Sequence, residues 1–226
     1  MGVYAYCVVP HAHRPPGDLV GLNGSPVELV EVGDVGLWVS TTDRPEVSIE
    51  TVQAHNRVVE VAVTEHVTPV PLRFGQWLED PGQLPAHVSE HAADYRDRLS
   101  RFAGCLEFGL RLIDPEATDE ARDVRESVPA TGREYMQALR ESSRLAEQRR
   151  AYSETVASRV RELLRDIVRE EKVETAQTRH AVLTVSHLVA REHFDEYRER
   201  ARRLRSVFPA LRLLLSGPWP PYSFAV

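Results

Sequence analysis

Lysine is almost absent from this sequence: Lys172 is the only one, and the other 27 basic residues are arginine. A strong codon bias yields such a skew anywhere in a chain, so it singles out no function. Cysteine is scarce too, with only Cys7 and Cys105 and no CxxC pair. That spacing gives neither a disulfide framework nor a thiolate zinc site, and both residues read as small core side chains. No apolar run approaches the roughly 18 residues of a membrane-spanning helix. The opening MGVYAYCVVPHAHRPP lacks a basic stretch before its short apolar run, so it is expected to be a first strand rather than a signal peptide, in a cytoplasmic protein. Missing as well are GxGxxG, GxxxxGK[ST] and GxSxG, so phosphate cradling and a serine nucleophile on an elbow have no support. No catalytic residue, cofactor or small-molecule substrate is expected.

The net charge of -6 hides a split, because residues 131–226 carry 18 Arg+Lys against 13 Asp+Glu while residues 1–130 carry 10 against 21. The two parts differ in pattern as well. Residues 3–9, rich in β-branched and aromatic side chains, predict a strand. Residues 27–32 and 36–41 predict a hairpin. After Ser48, a suitable N-cap, Val52, His55, Val59, Ala62, Val63 and His66 recur at helical spacing and predict an amphipathic helix. Extended structure at 67–74, a helix at 85–102 and a strand at 106–113 follow. The expectation for residues 1–114 is an α+β domain of ferredoxin-like character with both helices on one face.

Residues 115–131 are acidic, poor in large apolar side chains and bracketed by Pro115 and Pro129, which predicts a linker or mobile loop. Thr131 and Glu134 have capping-box spacing. The helix they open is expected to run some 40 residues as a solvated hairpin or coiled-coil arm, with Tyr152, Val156, Val160, Leu163 and Ile167 as its stripe. A strand at 180–190, a helix bearing Phe194, Tyr197, Ala201, Leu204 and Phe208, and a strand at 211–215 complete a second α+β domain over 132–226. Beyond it, Pro218, Pro220 and Pro221 are expected to end the sheet and carry Trp219, Tyr222 and Phe224 on a rigid tail buried against the protein's own body.

The sharpest short motif is His87-Val-Ser-Glu-His91, which fits HxxEH. Histidines at i and i+4 share a helix face, and Glu90 beside them suits a general base, so a metal-dependent hydrolase is the alternative reading. The sequence offers no obvious third ligand, and a solvated helix face with no metal is the expectation. His11 and His13 read as an exposed loop, and His55 as a hydrogen-bonded core residue. The run RERARRLR at 198–205 raises an RNA-binding module as a further alternative, but interleaved acids predict ion pairs such as Glu196 with Arg200 and Glu199 with Arg203. Nucleic acid and membrane are therefore not expected partners.

SGPWPPYSF at 216–224 and PLRFG at 71–75, in order with YAYCVV, GDVGLWVS, LEFGLRL, GREYM and AVLTVSHLV, resemble the gas vesicle protein F/L family over nearly the whole chain. Gln76 stands where the family commonly has threonine. The resemblance implies a non-enzymatic accessory or minor structural protein of gas vesicle assembly. It further implies binding to the hydrophobic main shell subunit and to other accessory proteins, to assist nucleation or prevent aggregation. The signature residues it singles out, as structural positions or partner contacts, are Arg73, Phe74, Gly75, Gly217, Pro218, Trp219, Pro220, Pro221, Tyr222 and Phe224.

Overall fold

The structure is a computed structural model and describes residues 1–117, 131–174 and 180–225. The chain divides into two compact units. One holds Met1–Glu107, Leu188–Arg191 and Gly217–Val226, and the other holds Phe108–His187 and Glu192–Ser216. Much of the acidic stretch expected as a linker, residues 118–130, lies outside the described residues.

In the first unit, β1 (Gly2–Pro10), β2 (Glu28–Val32), β3 (Val35–Thr42), β4 (Val70–Pro71) and β5 (Trp77–Leu78) form an antiparallel sheet in the order β2-β3-β1-β4, with β5 also paired to β1. Strand β1 is buried from Gly2 to Val9 because both faces of the sheet are covered. Val3, Ala5 and Val8 pack with Leu84, Val88 and Phe102 of α2 (Leu84–Phe102). Tyr4, Tyr6, Cys7 and Val9 pack with Val58, Val59 and Ala62 in and beside α1 (Ile49–Val61). Strict alternation would part Tyr6 from Cys7. A β-bulge between Ala5 and Cys7 leaves Tyr6 without a partner on β3 and turns both neighbours to one side.

The helices thus lie on opposite faces of the sheet, contrary to the expectation of one shared face. Helix α1 opens as foreseen at Ser48, whose Oγ accepts from the Thr51 N–H at 3.2 Å while the Ser48 N–H donates to Thr51 Oγ1 at 3.0 Å. It ends before Val63 and His66, which leaves His66 exposed. There the chain turns, with the Thr64 N–H on the Val67 carbonyl at 3.0 Å, toward a segment that Pro69 and Pro71 keep extended.

The second sheet is built from β6 (Cys105–Ile113), β7 (Val168–Glu174), β8 (Ala181–Ala190) and β9 (Arg212–Trp219) in the order β7-β8-β6-β9, with α3 (Gly132–Leu164) and α4 (Phe194–Val207) between strands. Along the described elements this is β-α-β-β-α-β with the first strand central, the ferredoxin-like arrangement. The expectation of ferredoxin-like character was attached to the wrong end of the chain: in the first unit a hairpin, not a helix, follows β1. Strand β7 is absent from the sequence reading because VREEKVE is mostly charged. It is an edge strand, where charge is tolerated and blocks stray pairing. Strand β9 is the other edge, so it runs past Leu215 through Pro218 to Trp219 despite the missing N–H.

Helix α3 begins at the expected box, with the Glu134 N–H on Thr131 Oγ1 at 3.3 Å and the Thr131 N–H on Glu134 Oε2 at 3.1 Å. It is 33 residues long and so spans about 50 Å. Only its last turns are buried, through Val156, Val160 and Leu164. These pack in a unit whose core also holds Phe108, Leu110, Leu112, Leu183, Val185, Tyr197, Ala201 and Leu204. Tyr152, expected on the buried stripe, is exposed.

Candidate functional site

PLRFG leaves β4 across the face of β1 that carries Tyr4 and Tyr6. The Leu72 N–H donates to the Tyr6 carbonyl at 2.9 Å. The Leu72 carbonyl can only accept, so His55 Nε2, 3.1 Å away, carries the proton. His55 Nδ1 is then an acceptor and takes the Tyr4 hydroxyl proton at 2.9 Å. The Tyr4 oxygen in turn accepts the Gly75 N–H at 3.1 Å. Gly75 stands at φ +97°, a backbone geometry that favours glycine. Burial pulls the His55 pKa down from 6.5 to about 4, against a smaller opposing effect of the Leu72 carbonyl. Burial likewise drives the Tyr4 phenol far up. His55 is therefore the hydrogen-bonded core residue the sequence predicted, neutral at pH 7.

The tail closes on the same unit. Tyr222, half-buried, packs on the core of Tyr4, Tyr6 and Trp38, as does Phe74, and the Tyr222 hydroxyl donates to Asn56 Oδ1 at 3.0 Å. Phe224 is buried on the opposite face with Val3, Leu37 and Leu188. Between them the Ser223 N–H and hydroxyl donate to the two oxygens of Glu107 at 2.8 and 2.6 Å. Arg98 and Arg101 donate to the Ala225 and Phe224 carbonyls. Pro220 and Pro221 are buried, Gly217 takes φ +104° ahead of a cis bond to Pro218, and Trp219 is 47 % exposed. Two of the three rings are thus anchored and Trp219 is not. Sequence reasoning missed Glu107, a lone acid in the apolar strand LEFGLRLI, which was the available signal.

Arg73, exposed, lines a 240 Å³ cleft with Leu72, Gln76, Ala225 and the α2 residues His87, His91, Asp94, Tyr95 and Arg98. The PLRFG segment, the HVSEH helix and Ala225, just past the tail signature, therefore share one depression. His13, expected in an exposed loop, instead lies flat on Trp38 with ring centroids 5.5 Å apart and bonds the Ala62 carbonyl at 3.1 Å. The arginine run on α4 carries the predicted pairs, Arg200 with Glu196 and Arg203 with Glu199, each at 2.5 Å, and Arg200 also reaches Asp166.

Two opposed cores joined through β1, with a proline-aromatic tail folded onto them, make the first unit an α+β structure. Comparison with known proteins gives the family. The sequence model described as "Gas vesicle synthesis protein GvpL/GvpF" matches residues 2–226, and the chain belongs to that family. It is 27% identical over 254 residues to gas vesicle protein L1 of Halobacterium salinarum, covering 99% of this chain and 90% of that one. It is 25% identical over 243 residues to gas vesicle protein F of a Streptomyces species, covering 99% of each. Among solved structures, GvpF from an Anabaena species superposes with TM-score 0.77 at 19% identity, covering 100% of this chain and 96% of that one. GvpF from Microcystis aeruginosa gives 0.76 at 18% identity, with 100% and 99% covered. The fold is the GvpF fold, and membership gives the chain a role in gas vesicle assembly, in association with other gas vesicle proteins. Among the described residues no helix is long and apolar enough to cross a membrane.

Proposed function

We propose that the chain acts in gas vesicle assembly, in the cytoplasm and without catalysis, by binding the hydrophobic main shell subunit and covering its apolar surface reversibly until it is built in. The observation that carries this reading is α3. Tyr135, Met136, Leu139, Leu145 and Tyr152 are each more than 40 % exposed on one helix, an unusual concentration of large apolar side chains on a free surface. The helix serves as an arm, and its coiled-coil-like first turns take an apolar partner segment. The signature residues Arg73, Phe74, Gly75, Gly217, Pro218, Pro220, Pro221, Tyr222 and Phe224 act structurally, holding the first unit closed, while Trp219 is left for a contact. The double variant Met136→Glu, Leu139→Glu should melt like the parent, because both sites are exposed, yet lose at least about tenfold in shell-subunit affinity in a quantitative pull-down. Unchanged capture would sink the arm as the binding surface.

The division into parts at 1–114 and 132–226, joined by 115–131, carries its own expected result. Limited proteolysis should cut first within 115–131 or in the polar middle of α3, around 141–151, where no side chain is buried. After the cut the pieces should stay together, because Phe224, Tyr222 and Ser223 are packed against residues preceding the cut. First cuts inside 48–74 or 181–216 would contradict this division.

A further inference from the structure

We propose that α2 carries a divalent transition-metal site, of the kind that takes Zn2+, formed by His87, Glu90 and His91. Residues at i, i+3 and i+4 project from one side of a helix, and here one ligand atom from each of the three side chains lies within 4.8 Å of the others. The two imidazole rings are already neighbours, with centroids 5.4 Å apart. A first-row ion held at about 2.0–2.2 Å from nitrogen and oxygen donors needs them closer to one another than 4.8 Å. All three side chains are exposed, so the remaining adjustment is a rotamer change with no core to disturb.

The sequence reading cast Glu90 as a general base and found no third ligand; the geometry makes Glu90 the third ligand. Two imidazoles and one carboxylate suit zinc and its neighbours in the first transition row, whereas Ca2+ and Mg2+ prefer oxygen donors alone. The site is more than three donors on a bare helix, because His87 and His91 also line the 240 Å³ cleft with Arg73, Asp94 and Ala225. Asp94, one turn on, is held by Arg98 at 3.0 Å and is not counted among the ligands. The remaining coordination positions go to water, or to a donor from whatever chain enters the cleft. This inference does not depend on shell-subunit binding by α3.

Calorimetric titration of the full chain with Zn2+, with Ca2+ as a control, tests it. One Zn2+ per chain is expected, with no comparable heat from Ca2+. His87→Ala or His91→Ala alone should weaken Zn2+ at least about tenfold, and the double variant should abolish the one-to-one phase. Both histidines are exposed, so an unchanged melting curve without metal will show that the variants fold. Zn2+ should also raise the melting temperature of the parent but not of the double variant. Absence of binding at millimolar Zn2+, or binding that survives the double substitution, would overturn the proposal.

Discussion

Phe224→Ala should lower the unfolding free energy by about 3 kcal/mol or more, whereas Trp219→Ala should cost under about 1 kcal/mol. The two rings sit five residues apart in one tail, but Phe224 is 7 % exposed and Trp219 47 %. Truncating Phe224 removes a buried ring from the core of Val3, Leu37 and Leu188 and leaves a cavity that rigid strands cannot collapse to fill. It also loosens the Ser223 bonds to Glu107, a carboxylate that is itself nearly buried. Trp219 offers mostly surface. Denaturant unfolding of the two variants side by side checks this, and equal losses would mean that the tail holds on by its backbone bonds rather than by its rings.

The second large effect is with pH. His55 is neutral in the fold and its pKa is depressed from 6.5 to about 4 by burial. Above pH 6.5 the folded and unfolded chains both carry it uncharged, and its contribution is complete. As pH falls from 6.5 toward 4, only the unfolded chain takes up the proton, so stability is lost across that window. At roughly 1.4 kcal/mol per unit, the loss is about 3 kcal/mol. Carboxylates begin to titrate at the lower end of the same range, so the diagnostic quantity is a difference. His55→Gln will be less stable at pH 7, because the bonds to Tyr4 and Leu72 are compromised, yet its decline between pH 6.5 and 4 should be shallower than the parent's by about that amount. Parallel curves would remove His55 as the origin.

What the sequence disclosed and withheld follows physical lines. Caps were legible because they are local: Ser48 with Thr51 and Thr131 with Glu134 depend on residues three apart. Strands β1, β6 and β8 were legible because buried strands concentrate β-branched and aromatic side chains. Strand β7 was not, since an edge strand needs no apolar face and VREEKVE has little. The extent of β9 was misjudged for a related reason, because a proline is forbidden only where a neighbour awaits its N–H, and edge position is a property of the whole sheet. The bulge at Tyr6 decides which side chains share a core, and no pattern of residue types announces it. At the site, His55 was identified from its place on an apolar stripe. Its partners Tyr4 and Leu72 lie 51 and 17 residues away, Gly75 meets Tyr4 across 71, and Glu107 meets Ser223 across 116. Contacts of that range are settled by topology, not by spacing.

The first unit takes Leu188 and Phe224 into the same core as Val3 and Val8. A ribosome delivers Phe224 some 220 residues after Val3, which at about 5–20 residues per second is a delay of roughly 10–45 s. Through that interval the sheet around β1 is assembled without the ring that completes one of its faces, and the apolar surface Phe224 later covers stands open to solvent or to a chaperone. The sheet around β1 is therefore made well before it is finished.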